Sequence, residues 1–262
     1  QAGQDAAEKI AKVLPRGKVY IMKMRRKDPN AYIYDNDTGN LVGAEQDFIN
    51  DFWAAVPYTP AGIHASTSLY KQALDRMDLK MITLPPFLKE AAEKLGGGIV
   101  KKEIFLALAK TSIGKTTLMS GLTRHLALNE PGEIVGVLSL EADAGKFSQN
   151  MLSYHLQIPL HRMTKEQRVA YLEREDIKAE VTRLYEKPDG TPTLYVCDDR
   201  GAGWEQIKEK ILEMIISGGC QIIILDPVSD LFEDLPHEAA AGFMKFLKGT
   251  MKNYPVAFLL LA

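Results

Sequence analysis

One strand–loop–helix segment decides the fold of this chain. Its loop has the sequence Ala109-Lys110-Thr111-Ser112-Ile113-Gly114-Lys115-Thr116-Thr117. An apolar run at 104–109 precedes the loop, and a helix follows it with Leu118, Leu122 and Leu126 at helical spacing. The amides of such a loop and the N-terminus of such a helix bind phosphate groups. The segment therefore predicts a phosphate-binding loop in an α/β protein.

Two side chains of the loop suit a nucleoside triphosphate. Lys115 would place its charge near the β and γ oxygens, and the Thr116 hydroxyl would ligate Mg²⁺. Ala109 stands where such loops usually begin with glycine, and alanine fits there if φ stays negative. The alternative is a chance Gly-Lys-Thr sequence in a turn, but the flanking strand and helix patterns favour the phosphate-binding loop.

The chain after about residue 83 alternates between apolar runs and helical stretches. The predicted strands cover 104–109, 134–140, 193–197, 222–225 and 256–262, and the predicted helices cover 115–127, 145–156, 204–216 and 238–251. Near-continuous apolar runs are typical of strands buried on both faces, and this alternation indicates crossover connections. We predict an α/β fold with a mainly parallel sheet, interrupted by a helical insertion at 157–192 in which Thr164 and Gln167 form a capping box.

Acidic residues follow two of these strands. Asp226 ends the run Ile222-Ile223-Ile224-Leu225-Asp226, where it would face the ligand crevice and hold Mg²⁺ through water, or else cap the turn into Pro227. Glu141 follows the run 134–140 and would orient or deprotonate the attacking water. Asp143 is a rival for that role, although its position suits an N-cap of the next helix. Asp198, Asp199 and Arg200 are weaker candidates, and a solvated loop is the preferred interpretation for them.

Residues 1–82 have a different character. The pattern predicts helices at 6–13 and 44–55 with a strand at 18–24, too few elements to bury their own apolar faces. A further helix at 66–77 has apolar residues at Leu69, Tyr70, Ala73 and Leu74. A helix of this length is marginal in water unless it docks. It packs either on its own chain or on a neighbouring subunit.

Composition excludes several classes of protein. Hydrophobic residues make up 46% and charged residues 25%, which is typical of a globular protein rather than a disordered or fibrous one. No apolar run approaches the ~20 residues of a membrane span, so no membrane partner is expected. Two cysteines and no secretory signal favour an intracellular setting. The formal charge of −2 means that a nucleic-acid partner would need a local groove.

Four blocks in combination resemble the RecA-like P-loop NTPase core of DnaB-like hexameric replicative helicases. These blocks are 109–117, 137–141, 194–199 and 222–226. Residues 1–62 are similar to the closing third of a Toprim (primase) domain. Residues 63–82 are similar to the linker helix of phage bifunctional primase–helicases of the Twinkle type. The resemblance implies a partial Toprim segment at 1–62, a subunit-swapped linker at 63–82 and a truncated RecA-like motor at 83–262.

The resemblance also implies a function. The motor would hydrolyse ATP or dTTP with Mg²⁺ and couple this to translocation on single-stranded DNA and duplex unwinding. It would work as a homo-oligomeric, hexameric ring beside other replisome proteins, in the cytoplasm of a host cell rather than the mitochondrial matrix. Residues 109–117 would bind the nucleotide, with Lys115 and Glu141 catalytic and with Thr116 and Asp226 at the metal.

The same resemblance implies that parts of the machinery lie outside the chain. The Toprim acidic pair would precede Gln1, and the DNA-binding loops and arginine finger would follow Ala262. The segment is therefore expected to be inactive alone. A RecA-type recombinase, a P-loop kinase and a nucleotide-binding scaffold without turnover are the alternatives. The Toprim-like part argues against the recombinase, and the dispersed arginines of 157–192 argue against the kinase.

Overall fold

The chain folds into two compact units, residues 1–78 and 79–262. The computed structural model describes residues 2–14, 18–35, 38–59, 62–64, 66–108, 110, 114–130, 132–199, 201, 203–231 and 237–262. The division falls after Asp78, inside the stretch 63–82 that the sequence predicts as a linker. Within the described residues, no helix is both long and apolar enough to cross a membrane.

The first unit combines short helices with a minimal strand pair. Its elements are α1 (Ala2–Ala11), β1 (Tyr20–Ile21), α2 (Glu45–Trp53), β2 (Val56–Pro57) and α3 (Ser66–Met77). The three predicted helices are present, with shifted ends in α1 and α2. The predicted strand at 18–24 is wrong in extent, because only two of its residues pair, antiparallel, with β2. Beyond Pro57, the Tyr58 N–H still donates to the Val19 carbonyl at 2.9 Å.

A buried tyrosine and a buried carboxylate stabilise the first unit. Tyr32 is fully buried, and its ring meets Phe48 edge-on with the ring centroids 5.4 Å apart. The Tyr32 hydroxyl donates to Asp51, which also accepts from Arg25 Nε at 2.6 Å. These hydrogen bonds, that from Tyr32 above all, lower the pKa of Asp51. The network therefore keeps this carboxylate ionised inside the unit.

The second unit begins with an antiparallel strand pair that the sequence patterns did not predict. It contains β3 (Met81–Thr83), α4 (Lys89–Lys94) and β4 (Gly98–Val100). The register pairs Ile82 with Ile99, and both side chains are buried. Strands of three residues are too short for a periodicity argument, which is why the pattern alone did not indicate them.

One five-stranded sheet forms the centre of the second unit. Its strands are β5 (Ile104–Ala107), β6 (Val135–Ser139), β7 (Leu194–Cys197), β8 (Ile222–Asp226) and β9 (Ala257–Leu261). Their spatial order is β5–β9–β8–β6–β7, and every neighbouring pair is parallel. The predicted α/β fold with a mainly parallel sheet is confirmed, with each strand within two residues of its predicted position at either end.

The two outer strands correct one expectation. Strands β6, β8 and β9 are buried throughout, as predicted. In contrast, Leu106 on β5 and Tyr195 on β7 are 50% and 39% exposed. The prediction that all five runs are buried on both faces was therefore wrong for β5 and β7. Both lie at an edge of the sheet, where fewer neighbouring elements cover a strand.

Helices cover both faces of this sheet. After α4 the chain forms α5 (Lys115–Asn129), α6 (Ala144–Leu156), α7 (Lys165–Leu172), α8 (Glu175–Tyr185), α9 (Trp204–Ile216) and α10 (His237–Asn253), of which α7 buries none of its residues. Side chains of β6 alternate between two cores, since Val137 packs with α5 and α6 and Leu138 packs with α9 and α10. The insertion 157–192 contains α7 and α8, and its Thr164–Gln167 capping box is confirmed.

A buried cluster of charges attaches β3 to the far end of α5. The Glu130 carboxylate accepts from the Thr83 N–H at 2.9 Å and from the Thr83 hydroxyl at 2.8 Å, and it pairs with Lys80 at 3.0 Å. Glu133 pairs with Lys80 at 3.1 Å and with Lys101 at 2.8 Å. Burial opposes ionisation of Glu130, but the bonds from Thr83 and Lys80 outweigh it and lower its pKa. This cluster stabilises the folded state only while Glu130 is ionised.

We predict that Glu130→Gln destabilises the second unit at pH 7 by about 2 kcal/mol, the scale of a hydrogen bond to a charged group. A carboxyl group whose pKa is lower in the folded state than in the unfolded state contributes its full stability above pH 4.5, its ordinary pKa. That contribution disappears as the pH falls through the pKa of the folded state. The difference between variant and wild type should therefore narrow below pH 4.5. Urea denaturation monitored by Trp204 fluorescence, in a Trp53→Phe background that leaves it the sole tryptophan, measures this.

Glu93→Gln is the matched control. Glu93 forms an exposed pair with Lys89 at 3.8 Å, and such pairs contribute less than about 1 kcal/mol. Equal stabilities of Glu130→Gln and wild type at pH 7, or a constant difference down to pH 3.5, would contradict the assignment of the stability to ionised Glu130.

Candidate functional site

The parallel sheet brings the predicted site residues to the edge that is formed by the carboxyl ends of its strands. β5 leads into the loop before α5, β6 leads into Glu141, and β8 ends at Asp226. Ser139 pairs with Asp226 in the register of β6 and β8, and the Leu140 N–H donates to the Asp226 carbonyl at 2.9 Å. Carboxyl ends of parallel strands form the ligand crevice of α/β proteins. The loop, Glu141 and Asp226 therefore share the edge where a ligand is expected.

Gly114 controls how the loop enters α5. It is the N-cap of that helix and has φ of 98°, a left-handed conformation that glycine adopts without strain. Its carbonyl accepts from the Leu118 N–H at 2.9 Å, and the helix begins at Lys115. Lys115 and Thr116 are half-buried, whereas Thr117 is exposed. The free amides and the positive dipole end of α5 therefore lie next to the side chains of Lys115 and Thr116. Such a helix start suits the binding of an anion.

Part of the predicted loop lies outside the described residues. Lys110 is described and is exposed. Ala109, Thr111, Ser112 and Ile113 are not described, so their proposed part in nucleotide binding stays a prediction. Arg200, beyond β7, also lies outside the described residues.

A buried serine shapes the turn that presents Glu141. Ser139 is 1% exposed, and its hydroxyl donates to the Ala142 carbonyl at 2.7 Å. Glu141 lies inside this closed turn, and its side chain is exposed. No sequence pattern indicated Ser139, because a small polar residue at the end of an apolar strand has no distinguishing pattern.

The rival carboxylates have structural partners. Asp143 is the N-cap of α6 and accepts from the Lys146 N–H at 2.8 Å, which confirms the N-cap interpretation. Asp198, just beyond β7, accepts from the Ala144 N–H at 2.9 Å. Two acids thus satisfy the free amides at the start of α6. Glu141 lies between β6 and the Asp143 cap, and its side chain is exposed.

Comparison with known proteins assigns the family. The family model for the DnaB-like helicase C terminal domain matches residues 89–241, more than half of the chain. The chain belongs to this family. The matched part of this DnaB-like chain runs from α4 into α10 and contains Lys115, Thr116, Glu141 and Asp226. The resemblance to DnaB-like helicases that the sequence indicated is confirmed.

A phage protein is similar to this chain over a region that extends into the first unit. The DnaB-like chain is 26% identical over 237 residues to a DNA helicase/primase of Enterobacteria phage T3. The alignment covers 87% of this chain and 38% of the phage protein. The chain thus spans less than half the length of that relative.

Asp226, at the carboxyl end of β8, is buried. It is 6% exposed, which is rare for a carboxylate unless it has polar or cationic partners. Among the described residues, no three histidine, cysteine, aspartate or glutamate side chains gather as a protein-only metal site. Mg²⁺ at nucleotide sites does not need such a cluster, because one or two protein oxygens, phosphates and water complete its coordination. The Thr116 hydroxyl and the Asp226 carboxylate match the ligand preference of that ion.

Proposed function

We propose that the second unit is the NTP-hydrolysing motor of a replicative DNA helicase. The observation that carries this proposal is the left-handed Gly114 at the start of α5, on the same sheet edge as Glu141 and Asp226. Hydrolysis of ATP or dTTP there would drive translocation on single-stranded DNA and unwinding of the duplex. Membership of the DnaB-like family supports the motor role.

Residues around the N-terminus of α5 would hold the phosphates. The free amides at the helix start and the Lys115 ammonium group provide positive charge that is fixed in place before the nucleotide arrives. Such prearranged charge stabilises the charge that shifts among the phosphate oxygens during phosphoryl transfer. Residues 109–113 would complete the loop.

Thr116 and Asp226 would hold the metal. Both supply oxygen atoms, the ligand type that Mg²⁺ prefers, and Asp226 would act through bound water. Mg²⁺, when bound, would neutralise charge on the β and γ phosphates.

Glu141 would position and deprotonate the attacking water. The turn closed by Ser139 and Ala142 holds this residue beyond β6 with its carboxylate exposed toward the edge. A carboxylate there can accept the proton of a water aligned with the γ phosphate. Asp143 is less suited, because its oxygen accepts the amide of Lys146.

The first unit would belong to a primase–helicase architecture. We propose residues 1–62 as the closing part of a Toprim domain, and the name of the phage relative, DNA helicase/primase, supports this. The protein would act as a hexameric ring with other replisome proteins, in the cytoplasm of the host cell.

Helix α3 would be the linker that joins subunits of the ring. None of its side chains is buried, and Leu69, Tyr70 and Leu74 are 50%, 75% and 43% exposed. An apolar stripe on an exposed helix of this length favours docking on another surface. The resemblance implies that this surface belongs to the neighbouring subunit, a head-to-tail contact that closes into a ring.

We predict that Lys115→Ala abolishes tight triphosphate binding and lowers turnover by the whole protein by about 10²-fold or more, because a positive charge is lost from the phosphate site. The fold should persist, since the side chain fills no core cavity. ATP titration, with circular dichroism as a folding check, measures both. Lys94→Ala, which removes an exposed lysine from α4, is the control and should bind as wild type does. Wild-type turnover of Lys115→Ala would refute the site.

We predict that Glu141→Gln separates binding from chemistry. The amide keeps the size of the side chain and can hydrogen-bond a water, but it cannot take a proton. Nucleotide affinity should persist while hydrolysis by the whole protein falls by about 10²-fold or more. Asp143→Asn is the matched variant, and it should change turnover little while weakening the cap of α6. The reverse result, loss in Asp143→Asn only, would show that Asp143 is the catalytic carboxylate.

We predict that the double variant Leu69→Asp, Leu74→Asp lowers oligomer size and turnover together, because each site needs a finger from the next subunit. Light scattering and hydrolysis assays on the same sample measure this. Lys71→Asp, on the same helix but outside the apolar stripe, is the control. If the double variant keeps the oligomeric state of wild type, α3 does not join the subunits.

A further inference from the structure

The backbone on both sides of Glu141 is anchored to strands of the sheet. Before it, the Leu140 N–H donates to the Asp226 carbonyl of β8 at 2.9 Å. After it, the Ala142 carbonyl accepts from the Ser139 hydroxyl of β6 at 2.7 Å. A further anchor comes from the residue that follows β7, so three strands hold this turn.

Asp198 provides the anchor from β7. Its Oδ2 atom accepts from the Ala144 N–H at 2.9 Å, across 54 residues of sequence. The register of β6 and β7 ends with Leu138 opposite Cys197, so the two strands reach the carboxyl edge of the sheet side by side. Asp198 therefore leaves β7 next to the turn that contains Glu141.

The bond from Ala144 reaches an amide that the cap of α6 does not satisfy. Ala144 is the first residue of α6, and Asp143 is its N-cap. An N-cap side chain accepts from the second or third amide of its helix, and Asp143 accepts from Lys146, the third. The first amide takes its acceptor from a distant part of the chain instead. Asp198 is that acceptor, and it attaches the start of α6 to the end of β7.

Glu141 depends on this backbone for its position. Its side chain is exposed, so the packing of neighbouring side chains does not enclose it. A general base acts only within hydrogen-bond reach of its water, and a displacement of about 1 Å can lower a rate by about 10²-fold. Loosening the backbone beyond Glu141 would therefore slow proton transfer without weakening the binding of the phosphates at α5.

We propose that Asp198 is a positioning residue for Glu141. By accepting the Ala144 N–H, it fixes the start of α6 against β7 and so holds the turn that presents the general base. This role requires an acceptor oxygen but no negative charge, unlike the role of a metal ligand or of a second base. The proposal rests on the proposed function, because it assumes that Glu141 deprotonates the attacking water.

The test compares Asp198→Ala with Asp198→Asn in NTP hydrolysis by the whole protein. Alanine removes the acceptor, whereas the side-chain carbonyl of asparagine can still accept from the Ala144 N–H. We expect Asp198→Ala to lower kcat by about tenfold with KM unchanged, and Asp198→Asn to retain most of the wild-type kcat. Asp199→Ala, which removes the neighbouring exposed carboxylate, is the control and should turn over as wild type does.

A second variant removes the same hydrogen bond from the donor side. Ala144→Pro lacks the N–H, and proline is well tolerated at the first position of a helix. Asp143, the preceding residue, has φ of −65° and ψ of 162°, a conformation that suits a residue before proline. Ala144→Pro should therefore reproduce the loss of kcat, with helix content unchanged by circular dichroism.

Coupling to Glu141 distinguishes positioning from a general structural role. The positioned carboxylate is absent from Glu141→Gln, so adding Asp198→Ala to that variant should lower turnover no further. The proposal is overturned, while the proposed function stands, by wild-type kcat in Asp198→Ala or Ala144→Pro. Equal losses in Asp198→Asn and Asp198→Ala, or a full additional loss in the double variant, would overturn it as well. Wild-type turnover of Glu141→Gln would instead refute the proposed role of Glu141, and the positioning role with it.

Discussion

Parallel pairing between β6 and β8 is the interaction on which the site depends. The register runs from Val135 opposite Ile222 to Ser139 opposite Asp226. Side chains of both strands alternate between two cores, so a slip by one residue would exchange the contents of these cores. Burial of both faces therefore locks the register. Because the register is locked, the turn with Glu141 and the carboxylate of Asp226 leave the sheet at neighbouring positions.

The two ends of the sheet use carboxylates differently. At the amino end of β6, Glu130 and Glu133 are buried and paired with lysines, where they attach β3 to the sheet and α5. At the carboxyl end, Glu141 is exposed, Asp226 is buried, and two other acids, Asp143 and Asp198, accept from the first amides of α6. Paired, desolvated carboxylates favour a rigid attachment, while an exposed one keeps room for water and substrate. This division supports the carboxyl end as the place for phosphoryl transfer in a member of the DnaB-like family.

Helix α5 connects these two ends. Its N-terminus follows the left-handed Gly114, and its last turn lies beside Glu130. Between them, Gly121 admits Phe87 and Tyr154 against the helix. Phe87 precedes α4 in the same segment as Lys80 and Thr83, which the buried charges hold in place. The aromatic contact at Gly121 thus depends on a segment that is attached to the opposite end of the sheet.

Sequence alone determined the features that depend on residues close together in the chain. The start of β5 at Ile104, the start of α5 at Lys115, the ends of α9, the capping box of α7 and the N-cap at Asp143 all follow from local spacing and capping chemistry. The same local logic placed Glu141 and Asp226 at strand ends. The helices and caps were predictable because their hydrogen bonds join neighbours in the sequence, and the strands were predictable because each is a short apolar run.

Only the tertiary structure decided which strands lie at the edges, how β3 meets β4, and which acids are buried. An apolar run has the same pattern in the middle of a sheet as at its edge, so Leu106 and Tyr195 could not be assigned as exposed from the sequence. Glu130 and Lys80 lie 50 residues apart, and no local pattern relates them. The contact of Phe87 and Tyr154 with Gly121 likewise joins three distant segments. Such contacts arise when strand order brings remote residues together, and strand order is set by the total burial of the folded chain rather than by any one stretch of it.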